Sequence, residues 1–189
     1  CYERYILYLS ITLVGKLSDN TVEIAFREEY MSEKASIIVF SGEFDKVLAA
    51  FVLANGAAAS GMDVTMFFTF WGLNVIKKNK GPIKGAKNWM QKMMGIMNRG
   101  GYSRLALSKF NMGGIGKAMM SKIMKGEKVQ SLEEMIADAA ELGVNFLACK
   151  MSMDVMGVCK EDLIPEVKEI VGVATYIANA KNCAINLFI

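Results

Sequence analysis

Gly143-Val144-Asn145-Phe146-Leu147-Ala148-Cys149-Lys150-Met151-Ser152-Met153-Asp154-Val155-Met156-Gly157 is a short apolar run that stops at a cysteine and passes into a loop-like segment. Runs of this kind are the buried strands of parallel sheets, where functional groups gather just past the strands' carboxyl ends. The stretch predicts a strand over Val144 to Ala148 with Cys149 at its end. The chain has no histidine. Cys149 is therefore the best nucleophile candidate, and its chemistry must proceed without an imidazole. The structural alternative is a buried, inert thiol, which is what most free cysteines are.

Upstream of this stretch, Ser131-Leu132-Glu133-Glu134 has the S-x-x-E form of a capping box. Leu132, Met135, Ile136, Ala139 and Leu142 follow at helical spacing, and Gly143 ends the helix. Ala35 to Ser41 (ASIIVFS) reads as a first buried strand, Gly42-Glu43 as a turn, residues 44–60 as a helix, and Met62 to Phe70 as a second strand. Downstream, Lys160 to Leu163 predicts a helical turn broken by Pro165. Glu166 to Ile170 predicts a strand, Val173 to Lys181 a helix, and Cys183 to Ile189 a final strand. Strands alternating with helices predict an α/β fold: one domain with a mostly parallel open sheet of about five strands flanked by helices.

The apolar fraction is 53%, and the mean hydropathy is +0.28. Both are high for a soluble domain, so extensive oligomer burial and membrane contact enter the reading. Val47 to Ile76 carries one charge, Asp63, and could be taken for a transmembrane hairpin. Its uncharged halves, 16 and 13 residues, fall short of the roughly 20 that a spanning helix needs. A buried helix followed by a buried strand fits better. The four cysteines show no C-x-x-C spacing, so zinc and iron–sulfur frameworks are not indicated, and a reducing compartment is the expected setting. No metal or cofactor is expected.

Residues 77–128 hold thirteen lysines and arginines against one acid, Glu127, a local charge of +12 in a chain of +3. Eight of the fifteen methionines lie there too. Met90, Met93, Met94 and Met97 share one helix face, and a second helix is predicted after Asn111 with Ile115, Met119 and Ile123 turned inward. This basic, Met-rich insert suits an anionic partner: an acidic protein, a sulfur anion or an anionic bilayer. The alternative is a solvated face over an ordinary core. Aromatics are too sparse among the lysines to form a stacking platform for nucleic acid. Gly113-Gly114-Ile115-Gly116 lacks phosphate-loop spacing and reads as a turn.

Residues 1–30 read differently from the rest. Arg27-Glu28-Glu29-Tyr30-Met31 can be encoded as AGG-GAG-GAG-TAT-ATG, a purine-rich ribosome-binding site before a start codon. The expectation is that translation begins at Met31, that 1–30 is translated leader, and that the domain spans 31–189. An ordinary N-terminal strand or helix is the alternative.

Around Cys149, the candidate supporting residues are Lys150, Met151, Ser152, Met153, Asp154 and Gly157, with Ser41 and Gly42 after the first strand. Lys150 and a helix amino terminus facing the loop are the local sources of positive potential for a thiolate. The three methionines would line the loop with soft, apolar groups. Cys159, ten residues on, is the candidate second thiol, able to resolve a disulfide or persulfide. Cys183 reads as core.

Four segments carry a family resemblance: Ser36-Ile37-Ile38-Val39-Phe40-Ser41-Gly42, Leu107-Ser108-Lys109-Phe110-Asn111-Met112-Gly113-Gly114, Ala148 to Gly157, and Ala184-Ile185-Asn186-Leu187-Phe188-Ile189. From Met31 to Ile189 the chain resembles the DsrE/DsrF/DsrH-like family, in particular its DsrE2-type branch. The resemblance implies a flavodoxin-like or Rossmann-like domain that forms homo-oligomers. It implies cytoplasmic sulfur trafficking, with the motif cysteine, matched here by Cys149, carrying sulfane sulfur or thiosulfate. Small TusA-like carriers or rhodanese-type enzymes are the implied partners. It supplies no fixed cysteine at position 159. The expected function is a sulfurtransferase-like carrier of persulfide or thiosulfonate. The alternative is a non-catalytic oligomeric module docking an anionic membrane face or acidic partner through the basic helices. Either way the expected place is the cytoplasm or the inner face of its membrane.

Overall fold

The computed structural model describes residues 33–78, 84–97 and 100–189. The expectations for residues 1–30 and for a start at Met31 lie outside these residues, as does the side chain of Met97.

Five strands form one sheet: β1 (Lys34–Val39), β2 (Asp63–Phe68), β3 (Asn145–Cys149), β4 (Val167–Val171) and β5 (Ile185–Phe188). Their order is β4-β3-β2-β1-β5, and every neighbouring pair is parallel. Among the described residues six α-helices accompany the sheet: α1 (Phe44–Ala59), α2 (Trp89–Met97), α3 (Ile115–Gly126), α4 (Leu132–Glu141), α5 (Lys150–Met156) and α6 (Val173–Ala180). The predicted α/β architecture is what is found, with strand ends displaced by a residue or two.

The order explains the layering. From β1 to β4 each connection steps the same way across the sheet, and right-handed crossovers then put their helices on one face. Only the return from β4 to β5 runs the other way, and it carries α6 over the opposite face. The core divides accordingly. The larger cluster joins Ile37, Val39, Met66, Phe68, Phe146 and Ala148 of the strands to Val47 and Phe51 of α1, Met135 and Ile136 of α4, and Met153 and Met156 of α5. The smaller joins Phe67, Leu147, Cys149 and Val171 to Tyr176 and Ala180 of α6. Each fully buried large apolar side chain contributes about 1.5–3 kcal/mol, so the first face dominates the stability.

Local chemistry sets the ends of the helices. The capping box before α4 is formed: Ser131 Oγ accepts from Glu134 N at 3.3 Å, and Glu134 Oε2 accepts from Ser131 N at 2.7 Å. Gly143, at φ 84°, turns the chain into β3. Leu142, expected on the apolar face, caps the helix and is exposed.

Two expectations for the basic segment are corrected. Ile115, Met119 and Ile123 of α3 point outward and are exposed, and the helix buries only Met124. On α2, Met90 and Met93 are exposed as well. Lys77 is buried, so it does not belong to a solvated basic face. Burial pulls its ammonium below the usual lysine range, and the charge of Asp162 opposes this.

Candidate functional site

The carboxyl ends of β1, β2 and β3 lie side by side and are pulled together by close backbone contacts. Thr69 N donates to Val39 O at 3.0 Å and Gly72 N to Phe40 O at 2.8 Å. A Cβ at Gly72 would lie 1.9 Å from Val39 O, and one at Gly42 would lie 2.8 Å from Trp71 O. Only glycine lets the turns after β1 and β2 approach this closely. Between them Phe70 holds φ 45°, a left-handed conformation uncommon outside glycine.

Cys149 ends β3 and is the N-cap of α5. Its side chain is fully buried in the α6-side cluster. Strand alternation places Phe67, Leu147 and Cys149 on that side. There the Phe67 and Tyr176 rings stack with centroids 4.3 Å apart. Tyr176 Oη and Ser36 Oγ share a buried hydrogen bond of 2.5 Å, which fixes α6 to β1. Burial pushes the Tyr176 phenol up, and the Ser36 bond opposes it.

The predicted loop after Cys149 is a helix. α5 begins at the next residue and ends at Gly157, whose φ of 69° provides the left-handed C-cap. This corrects the methionine lining. Met153 and Met156 enter the larger core on the far side of the sheet from Cys149, and Met151 faces solvent. Lys150 Nζ is 2.5 Å from Asp154 Oδ1, an exposed i,i+4 pair on α5. Its charge is therefore engaged at the surface. Ser152 is wholly buried, and its hydroxyl lies 2.8 Å from that of Thr69. Gly157 packs against Ala86 and Gln91, and Gln91 Nε2 donates to Asp154 O at 2.9 Å, tying α2 to the end of α5.

Ser41 and Gly42 do occupy the strand-end row. Ser41 Oγ accepts from Glu43 N at 3.2 Å and donates to Glu43 Oε2 at 3.3 Å, so it serves the turn. Cys159 sits beyond α5, in another environment. Its thiol donates to Asp162 Oδ2 at 3.1 Å. Burial, with Glu161 and Asp162, pushes it up to about 11. A thiol so held is a poor partner for exchange. Burial alone would raise the Asp162 carboxyl, but N–H donors from Cys159, Lys84 and Gly85 and the Cys159 thiol hold it below the usual range. Cys183 is half-buried rather than core. It precedes β5 and lines a polar cavity of about 270 Å³ with Lys34, Asp63, Thr65 and Asn179.

Two residues of the neighbourhood were missed in the sequence. Thr69 was findable, since it follows β2 as Ser41 follows β1. Tyr176 carried no signal, because nothing in Val173 to Lys181 says which sheet face the helix covers.

A profile of the DsrE/DsrF/DrsH-like family matches residues 31–188. The chain is 40% identical over 159 residues to the uncharacterized protein YrkE of Bacillus subtilis (strain 168), covering 84% of this chain and 98% of that one. It is 34% identical over 159 residues to the sulfur carrier protein DsrE2 of Allochromatium vinosum, covering 83% and 98%. Among solved structures, a protein of unknown function from Methanobacterium thermoautotrophicum aligns with a TM-score of 0.49 at 12% identity, over 84% of this chain and all of that one. With the profile running from the residues before β1 to the end of β5, the chain belongs to the DsrE/DsrF/DrsH-like family.

Proposed function

We propose that this chain is a sulfur-trafficking protein that carries sulfane sulfur on Cys149. The observation that carries the reading is positional. The thiol stands where β3 ends and α5 begins, at the strand-end edge of a parallel sheet. Membership of the family and 34% identity to a protein named as a sulfur carrier support the same reading.

The chemistry needs no imidazole. The Cys149 thiol releases its proton to solvent, and the thiolate attacks the outer sulfur of thiosulfate. The sulfur–sulfur bond of thiosulfate breaks, sulfite leaves with the electron pair, and Cys149 is left as a persulfide. An acceptor thiolate then attacks the outer sulfur and returns Cys149 as thiolate. Neither step has net oxidation. The basic segment draws the sulfur anion or an acidic carrier toward the protein. A homo-oligomer and a TusA-like or rhodanese-type partner in the cytoplasm belong to this reading.

Because Cys149 is fully buried, loading requires the cluster around it to open. The cluster that buries it is completed by one eight-residue helix, α6. Local openings of such thinly supported elements cost less than global unfolding.

Intact-mass measurement after incubation with thiosulfate or polysulfide tests the proposal. One added sulfur atom on the wild type, absent in Cys149→Ser, is expected. No adduct, or an equal adduct on Cys149→Ser, overturns it.

A further inference from the structure

α3 and the turn before it form a surface whose composition and backbone both need explaining. The helix buries one side chain, Met124, against the protein. Its opposite side shows Ile115, Met119 and Ile123 to solvent at 61%, 61% and 59% exposure, and the preceding turn shows Phe110 at 81% and Met112 at 69%. Phe110 and Met112 hold φ 56° and 44°, and Gly113 and Gly114 hold 66° and 103°. Left-handed backbone at two large apolar residues is strained and persists only where the surroundings enforce it. Gly116 supplies part of that enforcement, since a Cβ there would lie 1.9 Å from Phe110 O. The fold thus spends strain to hold apolar side chains in water, the reverse of what stability alone selects.

The exposed charges on this helix and its turn are basic except Glu127 at the C-cap, and Asp45 reaches the turn through Ser108. Lys109, Lys122, Lys125 and Lys128 are exposed, and none forms an ion pair among the described residues. No aspartate or glutamate occurs between Asp63 and Glu127. At twelve residues α3 is about 18 Å long, too short for a hydrocarbon core of about 30 Å. Among the described residues no helix is long and apolar enough to cross a membrane.

We propose that this face docks on an anionic lipid surface, with α3 lying in the membrane plane. Phe110, Met112, Ile115, Met119 and Ile123 enter the headgroup–acyl boundary, and the lysines reach the lipid phosphates along their alkyl stems. An anionic bilayer fits the combination on this face, since an interfacial helix needs both exposed apolar side chains and exposed lysines beside them. The inference is independent of the Cys149 reading and would place a sulfur carrier, or any other activity of this chain, at the membrane.

Vesicle flotation of the full chain tests it. Vesicles of phosphatidylcholine and phosphatidylglycerol in equal parts should carry the protein at low salt. Pure phosphatidylcholine vesicles should carry at least about tenfold less, and high salt should release it. Phe110→Ser/Met119→Ser/Ile123→Ser and Lys109→Gln/Lys122→Gln/Lys125→Gln should each weaken binding by about tenfold or more, with unchanged circular dichroism because all six positions are exposed. Cys149→Ser should bind like the wild type. No binding to the anionic vesicles at low salt, or binding that both triple variants retain, overturns the proposal. So does a native mass that falls in the triple-serine variant without any vesicle binding, since the face would then join copies of this chain.

Discussion

The hydroxyls of Thr69 and Ser152 meet at 2.8 Å in a buried contact that ties the end of β2 to the first turn of α5. Each satisfies the other, so removing one leaves a buried polar group without its partner. Ser152→Ala should cost about 1–3 kcal/mol, and Thr69→Val/Ser152→Ala less than the sum of the two single changes. Urea unfolding of the four proteins in a double-mutant cycle measures this coupling.

Cys149 is buried in the cluster that α6 completes, and its reactivity should report how often that cluster opens. Iodoacetamide labelling of Cys149 in the native protein should trail labelling in urea by roughly tenfold or more. Tyr176→Phe removes the bond that holds α6 to Ser36. It should speed native labelling while costing about 1–3 kcal/mol of stability. Peptide mass spectrometry separates Cys149 from the other thiols. Equal labelling rates in native and unfolded protein would show that the thiol is not shielded.

Cys159 is held as a protonated thiol by burial and by Glu161 and Asp162, at about 11. Its alkylation rate should rise steeply only toward that pH, and Asp162→Asn should move the rise downward. Cys159→Ala should leave sulfur loading of Cys149 unchanged, a result read by the same intact-mass measurement.

Acid should destabilise the protein through two aspartates. Against the opposing effect of burial, the side chain and backbone of Ser108 hold Asp45 below the usual carboxylate range, and Asp162 is held low by its own donors. A carboxylate lowered in the folded state binds fewer protons there than in the unfolded chain. Its contribution is present above the ordinary value near 3.9 and is lost as pH falls through the folded one. Urea midpoints should therefore drop with acidification below about pH 4, and Asp45→Asn/Asp162→Asn should flatten that slope while lowering stability at neutral pH.

Gly72→Ala should be among the most damaging single changes, because the new Cβ would lie 1.9 Å from Val39 O. A loss of about 3 kcal/mol or more is expected from the forced separation of the β1 and β2 ends. Thermal melting measures it, with Gly56→Ala, whose Cβ meets nothing within 4 Å, as the control.

The parallel sheet was legible because short β-branched runs such as Ser36 to Val39 alternate with helical stretches, and Ser131 to Glu134 announced α4. Two things were not legible. Periodicity along Ile115, Met119 and Ile123 gives the phase of an apolar stripe but not whether the stripe faces in or out. On α3 the one buried side chain, Met124, lies on the other side. The residues after Cys149 have too few turns to show a helical period, so α5 read as a loop and its methionines as a lining. The cluster that buries Cys149 is joined by Tyr176 and Ala180 of α6 only through the return of the chain across the sheet.

That return has a kinetic consequence. β5 pairs with β1, the first strand of the sheet, but is the last to be synthesised. Until β5 docks, β1 offers one edge of unpaired backbone groups to any neighbour. Closing that edge waits for residues 184–189, the most non-local pairing in the domain and so the slowest to form. A chain in which they have not yet docked holds four strands of the sheet yet stays open to strand exchange with its neighbours.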